Sequence, residues 1–349
     1  MTHASAPQLP APNRVLIIKP SSLGDVVTAL PVLRGLRRTF PACHIAWLIG
    51  KAYLPLLEGD DDLNETIPFD RARFGRPWHW PMEIGEAARL VGALRGGRFD
   101  WVIDLQGLLR SGLLTASTGA AVRAGFADAR EGAAIFYNHA LAARSAHTVD
   151  RNIELARHLG IDARPGDMTL KVAPAAADHV RQLLARLGLA DRPFLVVVPP
   201  TRWITKRYPV RHWRVVLAEL SRHCPIVLAG GGGAEAQLCA AVAEGMGPGV
   251  VNLAGQTNIP QMAALIAQSR GVICNDSAAK FIAPAVGVEV VALLGPTRLE
   301  HTGPYLRGRA LVAGVECQGC LKKKCRHITC MQSIPPADVV AAGLEMLKR

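Results

Sequence analysis

The sequence predicts two α/β domains, each built on a parallel sheet. Three observations carry this. Val15 to Ile18 is an unbroken apolar run with three β-branched residues, the mark of a strand buried on both faces. A small-residue turn follows, Ser21-Ser22-Leu23-Gly24, and then apolar residues at Val26, Val27, Leu30, Leu33 and Leu36. Intervals of three and four belong to an amphipathic helix. The same alternation restarts at Phe194-Leu-Val-Val-Val198, and 349 residues suffice for two domains at ~150 residues each.

In chain order, Met1 to Asn13 is rich in Pro and Ala and has no apolar core of the kind a secretory signal carries. It reads as a flexible tail. Residues 14–170 form the first domain. Cys43 to Ile49 is its second strand, and Arg98 to Leu105 is another, leading through Gln106-Gly107 into a helix near Leu108. Strands alternating with helices make βαβ units. Between these strands, Arg71 to Trp80 mixes cations with aromatics, either as a solvated surface loop or as a clamp for an anionic, lipid-linked sugar. Residues 171–192 hold Pro174 and one helix, Ala175 to Leu187, and read as a linker. Residues 193–335 are the second domain, and 336–349 a final helix.

Half of the residues are hydrophobic, and no apolar run reaches the ~18–20 residues of a membrane span. A cytoplasmic protein is expected. Forty Lys and Arg against 28 Asp and Glu leave a formal charge of +12. That surplus suits an anionic partner, whether nucleic acid, phosphorylated substrate or membrane surface. It also suits an Arg-rich genome, since the charges are scattered.

Asp25 lies where the first strand turns into its helix, at the lip where open α/β sheets bind ligands. One reading makes it a helix cap, satisfying free N–H groups in the first turn. The other makes it a general base facing substrate. Spacing alone leaves both open. In the second half, Lys206 stands in a loop after the strand at Phe194. Pro225 to Glu235 is strand, four glycines and helix, suited to binding phosphate or ribose oxygens. It is not the dinucleotide fingerprint, because the sixth position counted from Gly230 is Glu235.

The run Lys19-Pro-Ser-Ser-Leu-Gly-Asp25-Val-Val-Thr-Ala-Leu-Pro31 resembles the opening motif of the ADP-heptose:lipopolysaccharide heptosyltransferases, glycosyltransferase family 9. Further matches run along the chain. Asp104-Leu-Gln-Gly-Leu-Leu-Arg110 is similar to the family's D-x-Q-G-x-x-[KR] stretch. His147 to Gly160 is similar to its H-x-x-[DE]-R-N helix. Pro199 to Pro209 resembles its phosphate loop. Gly271 to Thr297 resembles its C-terminal block, with Ala278 for Gly, Phe281 for His and Pro284 for Ala. These departures bear on donor identity.

The resemblance implies the GT-B fold, two Rossmann-like domains with parallel sheets facing a central cleft and the last helix crossing back. It implies inverting transfer of heptose from ADP-heptose to an anionic, lipid-linked acceptor, the Kdo-containing inner core of lipopolysaccharide, at the cytoplasmic face of the inner membrane. Asp25 would be the base. Donor contacts would come from Lys206, Gly231, Gly232, Glu235, Asp276, Ser277, Ala278 and Lys280. Acceptor contacts would come from Lys19, Ser22, Arg71, Arg73, Gln106 and Arg110. No cofactor is required on this reading, and no nucleic acid is expected as a partner.

Eight cysteines remain to be explained, of which four fall close together: Cys317, Cys320, Cys325 and Cys330. Disulfides are rare in the cytoplasm, and four thiols in one loop suit a tetrahedral structural zinc or iron. The spacing also equals that of a zinc knuckle with Cys in place of His, which gives a non-enzymatic RNA-binding alternative. A relative using another nucleotide-sugar or a protein acceptor is the other alternative.

Overall fold

The computed structural model describes residues 9–70 and 80–348, with the side chains of residues 80–84 left aside. Most of the predicted tail, residues 1–8, lies outside the described residues, as do Arg71 and Arg73. The chain divides into two units between Met168 and Thr169.

The first unit holds strands β1 (Arg14–Ile18), β2 (His44–Gly50), β3 (Glu65–Phe69), β4 (Trp101–Asp104), β5 (Val122–Phe126) and β6 (His139–Leu141). Its helices are α1 (Leu23–Thr28), α2 (Leu30–Thr39), α3 (Leu54–Leu57), α4 (Trp80–Gly96), α5 (Leu109–Ser117) and α6 (Thr148–His158). All pairings are parallel, and the order is β3-β2-β1-β4-β5-β6. Ile17 is flanked by Trp47 on one side and Ile103 on the other. Val15 to Ile18 are wholly buried, as a central parallel strand demands. Pro68, which has no N–H to give a ladder, falls in β3 at the sheet's edge.

The helix predicted after β1 is broken in two at Ala29. Pro31 is the cause: it carries no N–H to donate, and its ring would strike the carbonyl of Val27 if one helix ran through. Placed instead at the second position of α2, it fits the first turn of a new helix.

The second unit holds β7 (Leu195–Val198), β8 (Ile226–Leu228), β9 (Val250–Asn252), β10 (Gly271–Asn275), β11 (Val290–Leu293) and β12 (Gly308–Leu311). Its helices are α7 (Pro174–Arg186), α8 (Val210–Leu220), α9 (Ala234–Ala243), α10 (Ile259–Ala267), α11 (Ala279–Ala285), α12 (Leu299–Thr302), α13 (Thr329–Gln332) and α14 (Pro336–Lys348). The order β12-β11-β10-β7-β8-β9 is again all parallel. Renumbered from its own first strand, it repeats the order of the first unit. The stretch read as a linker carries α7, which packs on α10 within this unit.

Both units are therefore Rossmann-like, with the order 3-2-1-4-5-6 that reverses direction at its centre. Chain leaves the two middle strands toward opposite edges, so their carboxyl ends stay uncovered. Asp25 follows β1 and Gln106 follows β4. Lys206 follows β7 and Asp276 follows β10. Each candidate pair stands at a topological switch point.

The second core is filled by Trp213, Leu217, Leu220, Val291 and Met331, all fully buried, with Val339, Ala342 and Met346 of α14 among them. α14 packs on α8, and Gly343 makes the close approach possible. A Cβ there would come within 2.9 Å of Leu220 Cδ2 and 3.1 Å of Ile273 Cδ1. Overpacking a filled core costs about 1–3 kcal/mol. Gly343→Val is expected to lower unfolding stability by that amount, read as the midpoint of a urea melt. An unchanged midpoint would mean that α14 does not pack against this core.

Candidate active site

At the end of β1, Asp25 is the third residue of α1 and only half-buried. The Ser22 N–H (2.8 Å) and the Ser22 hydroxyl (2.7 Å) both donate to its Oδ2. Among the described residues no hydrogen bond reaches Oδ1. Oδ2 thus serves the helix's first turn as the capping reading expects, and Oδ1 is available for another contact.

Beneath the turn, Lys19 is 8% exposed and its ammonium donates to the Leu105 carbonyl at 2.6 Å. Burial lowers the Lys19 pKa, while the charges of Asp25 and Asp104 oppose that fall. Expected as an acceptor contact, Lys19 is instead turned inward. A desolvated ammonium needs a carbonyl and nearby carboxylates more than it needs the surface. It ties the β1 turn to the β4 turn and puts a cation behind Asp25.

The β4 turn is held by Asp104, which is fully buried. Its Oδ1 accepts the N–H groups of Gln106 (2.8 Å) and Gly107 (3.1 Å), and Tyr137 donates its hydroxyl to Oδ2 at 2.6 Å. Burial raises the Asp104 pKa against these bonds, and burial beside Asp104 pushes Tyr137 up as well. Gly107 takes a φ of +62°, which a side chain would resist. Gln106 is thereby aimed back at the first turn, its Oε1 3.4 Å from the Ser21 nitrogen. Ser21, Gln106 and Arg110 line one cavity of about 420 Å³, walled by Phe69, Leu113 and Leu114. Of the predicted acceptor residues, Gln106 and Arg110 meet there. Ser22 is engaged with Asp25.

In the second unit the β7 loop is stitched to the end of β10. Asn275 donates from Nδ2 to the Pro199 carbonyl (2.6 Å) and accepts from the Tyr208 N–H (3.3 Å). Thr201 donates to the Asp276 carbonyl at 2.8 Å. These bonds bring Lys206 to Asp276, Nζ to Oδ2 at 2.8 Å. Lys280, one helical turn after Asp276, pairs with Oδ1, and the Thr297 hydroxyl donates to Oδ2. Asp276 and Lys280 are both buried. Burial pushes the Asp276 carboxyl up, but Lys280 and Lys206 outweigh it and bring it down to about 2. Burial lowers Lys280, against the attraction of Asp276.

Two lysines on one carboxylate leave this cluster with a surplus positive charge, which suits an anionic ligand. The departures from the family motif are local to it. Lys280 Nζ also lies 4.8 Å from the Phe281 ring centre, a cation–π contact where the family has His. Ala278 has a φ of −62°, so glycine's freedom is not required there. Ser277 and Ala278 are partly exposed beside the cluster.

The glycine loop runs between β8 and α9 as predicted. Glu235 reaches back so that its Oε2 accepts the Gly231 N–H at 2.8 Å, leaving Gly231 and Gly232 exposed. One carboxylate oxygen of Glu235 thus orders the loop.

The four clustered cysteines line one cavity of about 510 Å³, with Thr205, Pro296 and His327. Backbone N–H groups of Ile328 and His327 hold the Cys325 thiol below its ordinary pKa. Burial, then the three neighbouring thiols, raise Cys330. Among the described residues, no three ligating side chains are gathered closely enough to hold a metal.

Comparison with known proteins identifies the family. Residues 87–330 match the model of Glycosyltransferase family 9 (heptosyltransferase). Lipopolysaccharide heptosyltransferase 1 of Pseudomonas aeruginosa is 30% identical over 320 residues, covering 90% of this chain and 88% of its own. The solved structure of E. coli heptosyltransferase WaaC with ADP has a TM-score of 0.76 at 25% identity, covering 95% and 99% of the two chains. A glycosyl transferase family 9 structure from Veillonella parvula has a TM-score of 0.81 at 22% identity, covering 96% and 97%. Likeness of this kind over nearly the whole chain fits the heptosyltransferase expectation and not the RNA-binding alternative. Two Rossmann-like units of the GT-B class, with switch-point residues that match the family's motifs, and relatives of this kind over nine-tenths of the chain lead to one conclusion: the chain belongs to glycosyltransferase family 9, the heptosyltransferases.

Proposed function

We infer that this protein is an inverting heptosyltransferase that moves heptose from ADP-heptose to an anionic, lipid-linked acceptor, the Kdo-containing inner core of lipopolysaccharide. The observation that carries the chemistry is the free Oδ1 of Asp25 at a switch point. The substrate class rests on likeness to heptosyltransferase 1 along nearly the whole chain.

In this mechanism Asp25 Oδ1 takes the proton of the acceptor hydroxyl as its oxygen attacks the anomeric carbon of heptose. The bond from that carbon to the diphosphate breaks, and its electron pair leaves with ADP. Attack opposite the leaving group inverts the anomeric centre. Lys206 neutralises charge as it develops on the diphosphate, an effect strongest where water is excluded. Asp276 and Lys280 hold Lys206 and the charge balance around it. Glu235 and the N–H groups of the glycine loop take the ribose. Gln106 and Arg110 receive the acceptor's carboxylate-bearing sugar, with Arg suited to a bidentate grip. Arg71 and Arg73 remain candidates for the same role. Among the described residues no helix is long and apolar enough to cross a membrane. The net positive charge supports work at the anionic cytoplasmic face of the inner membrane.

The cysteine loop carries the donor set that a structural zinc or iron takes, four thiols on one cavity, although among the described residues these are not drawn close enough to hold one. Cys317, Cys320, Cys325 and Cys330 would hold it, and it would fix the loop. Nothing in the transfer step passes through it.

The reading is tested by ADP release from ADP-heptose, with and without a Kdo-bearing lipid A acceptor. Acceptor-dependent release supports it, and turnover only with another nucleotide-sugar overturns the donor assignment. Lys206→Ala is expected to weaken ADP binding by about 1.5–3 kcal/mol, as for a lost hydrogen bond to a charged group. Titration calorimetry measures this, and an unchanged affinity would reduce Lys206 to a loop charge. Elemental analysis of protein purified without added metal is expected to find about one zinc or iron per chain. A metal-free preparation with full activity and unchanged melting temperature would remove the metal from the account.

A further inference from the structure

The cysteine loop and the Lys206 loop are far apart in sequence and are joined at the donor cluster. The Thr205 hydroxyl donates to the Lys322 carbonyl at 3.0 Å. The Leu321 N–H donates to the Pro296 carbonyl at 2.6 Å, and Gly319 donates to Gly295 at 3.3 Å. Pro296 immediately precedes Thr297, which holds Asp276. The cysteine loop is thus bonded to both neighbours of the Lys206–Asp276 pair.

Trp203 stands at this junction. Lys206 Nζ lies 4.3 Å from its ring centre and Lys323 Nζ lies 5.1 Å from the same centre. Those two distances mean that the ammonium groups lie no more than about 9.4 Å apart. Cations prefer an aromatic face for its negative quadrupole, and the ring fixes where each one stands. Lys206 is partly neutralised by Asp276, whereas among the described residues no carboxylate pairs with Lys323. Two ammonium groups gathered at one ring can each bind a phosphate oxygen of a diphosphate, each contact being a charge-assisted hydrogen bond.

We propose that Lys323, carried by the cysteine loop and backed by Trp203, is a second phosphate-binding residue of the donor site, acting beside Lys206. This rests on the reading of the second unit as a nucleoside-diphosphate site. The role fits the joints described: the loop delivers its cation only while Thr205 and Pro296 hold it in place. Lys323 is exposed, so its removal leaves the core intact.

The test is calorimetric titration of the full-length protein with ADP and, separately, with adenosine. Lys323→Ala is expected to weaken ADP binding about five-fold, the size of one exposed charge contact, with adenosine binding and melting temperature unchanged. Lys323→Arg is expected to restore most of the ADP affinity. Raising the salt concentration should cost the parent more ADP affinity than it costs Lys323→Ala. ADP affinity unchanged in Lys323→Ala but lowered in Lys206→Ala would overturn this inference and leave the donor site standing. Equal losses for ADP and adenosine would also overturn it, since they mark a disturbed loop and not a lost phosphate contact. If the parent protein does not bind ADP, the donor reading fails and this inference fails with it.

Discussion

A parallel sheet wound outward in both directions from its middle cannot cover the carboxyl ends of its two central strands. Each crossover must return over a face, and because the connections are right-handed, crossovers running toward opposite edges lie on opposite faces. This constraint acts twice in the chain. It exposes the turns after β1 and β4 in one unit and those after β7 and β10 in the other. Everything placed at those ends inherits a fixed backbone, free N–H groups and access to solvent. The chain therefore needs few residues to build a site, and it spends its buried polar groups on holding the turns. Asp104 and Lys19 do so in the first unit, Asn275 and Thr201 in the second.

The buried charge of the second unit carries the larger energetic consequence. Taking Asp276 and Lys280 from water costs several kcal/mol per ion, and their attraction offsets this only with good geometry and further hydrogen bonds. Thr297 and Lys206 supply those bonds. Such a cluster adds little net stability, but removing one partner leaves an uncompensated charge. Its value lies in position: Lys206 is held at one end of Asp276 by a carboxylate whose other end is already occupied by Lys280. On the proposed donor reading, an arriving diphosphate would meet a cation that is aimed and partly desolvated, with little reorganisation left at the moment charge develops.

How much of this could be read from the sequence depended on the distance between partners. Central strands such as Val15 to Ile18 and Phe194 to Val198 announced themselves, because burial on both faces demands continuous apolar side chains. The edge strands β3, β6, β9 and β12 did not: Glu65-Thr-Ile-Pro-Phe69 and His139-Ala-Leu141 need only one packed face and one ladder partner. The break between α1 and α2 was written in Pro31. Site residues matching a local motif, such as Asp25 and Asp276, were legible as positions, but their chemical state was not. Lys19 reads as a surface cation until the fold buries it under Leu105. Tyr137 on Asp104 and Lys323 on Trp203 bridge 33 and 120 residues, and no local pattern marks either pair. The i, i+4 spacing of Asp276 and Lys280 was the one such contact that a helix reading could have supplied.

The central claim is that Asp25 divides its carboxylate between capping α1 and accepting the acceptor's proton. Asn caps a helix about as well as Asp, and its side-chain oxygen can still accept from Ser22. It cannot act as a base. Initial rates and thermal melts of Asp25→Asn, taken on one preparation, separate the two roles. The account predicts an unchanged melting temperature and ADP affinity, with turnover reduced at least ~10²-fold, as for loss of a general base. Turnover within a few-fold of the parent would mean that Asp25 is only a helix cap and would contradict the mechanism.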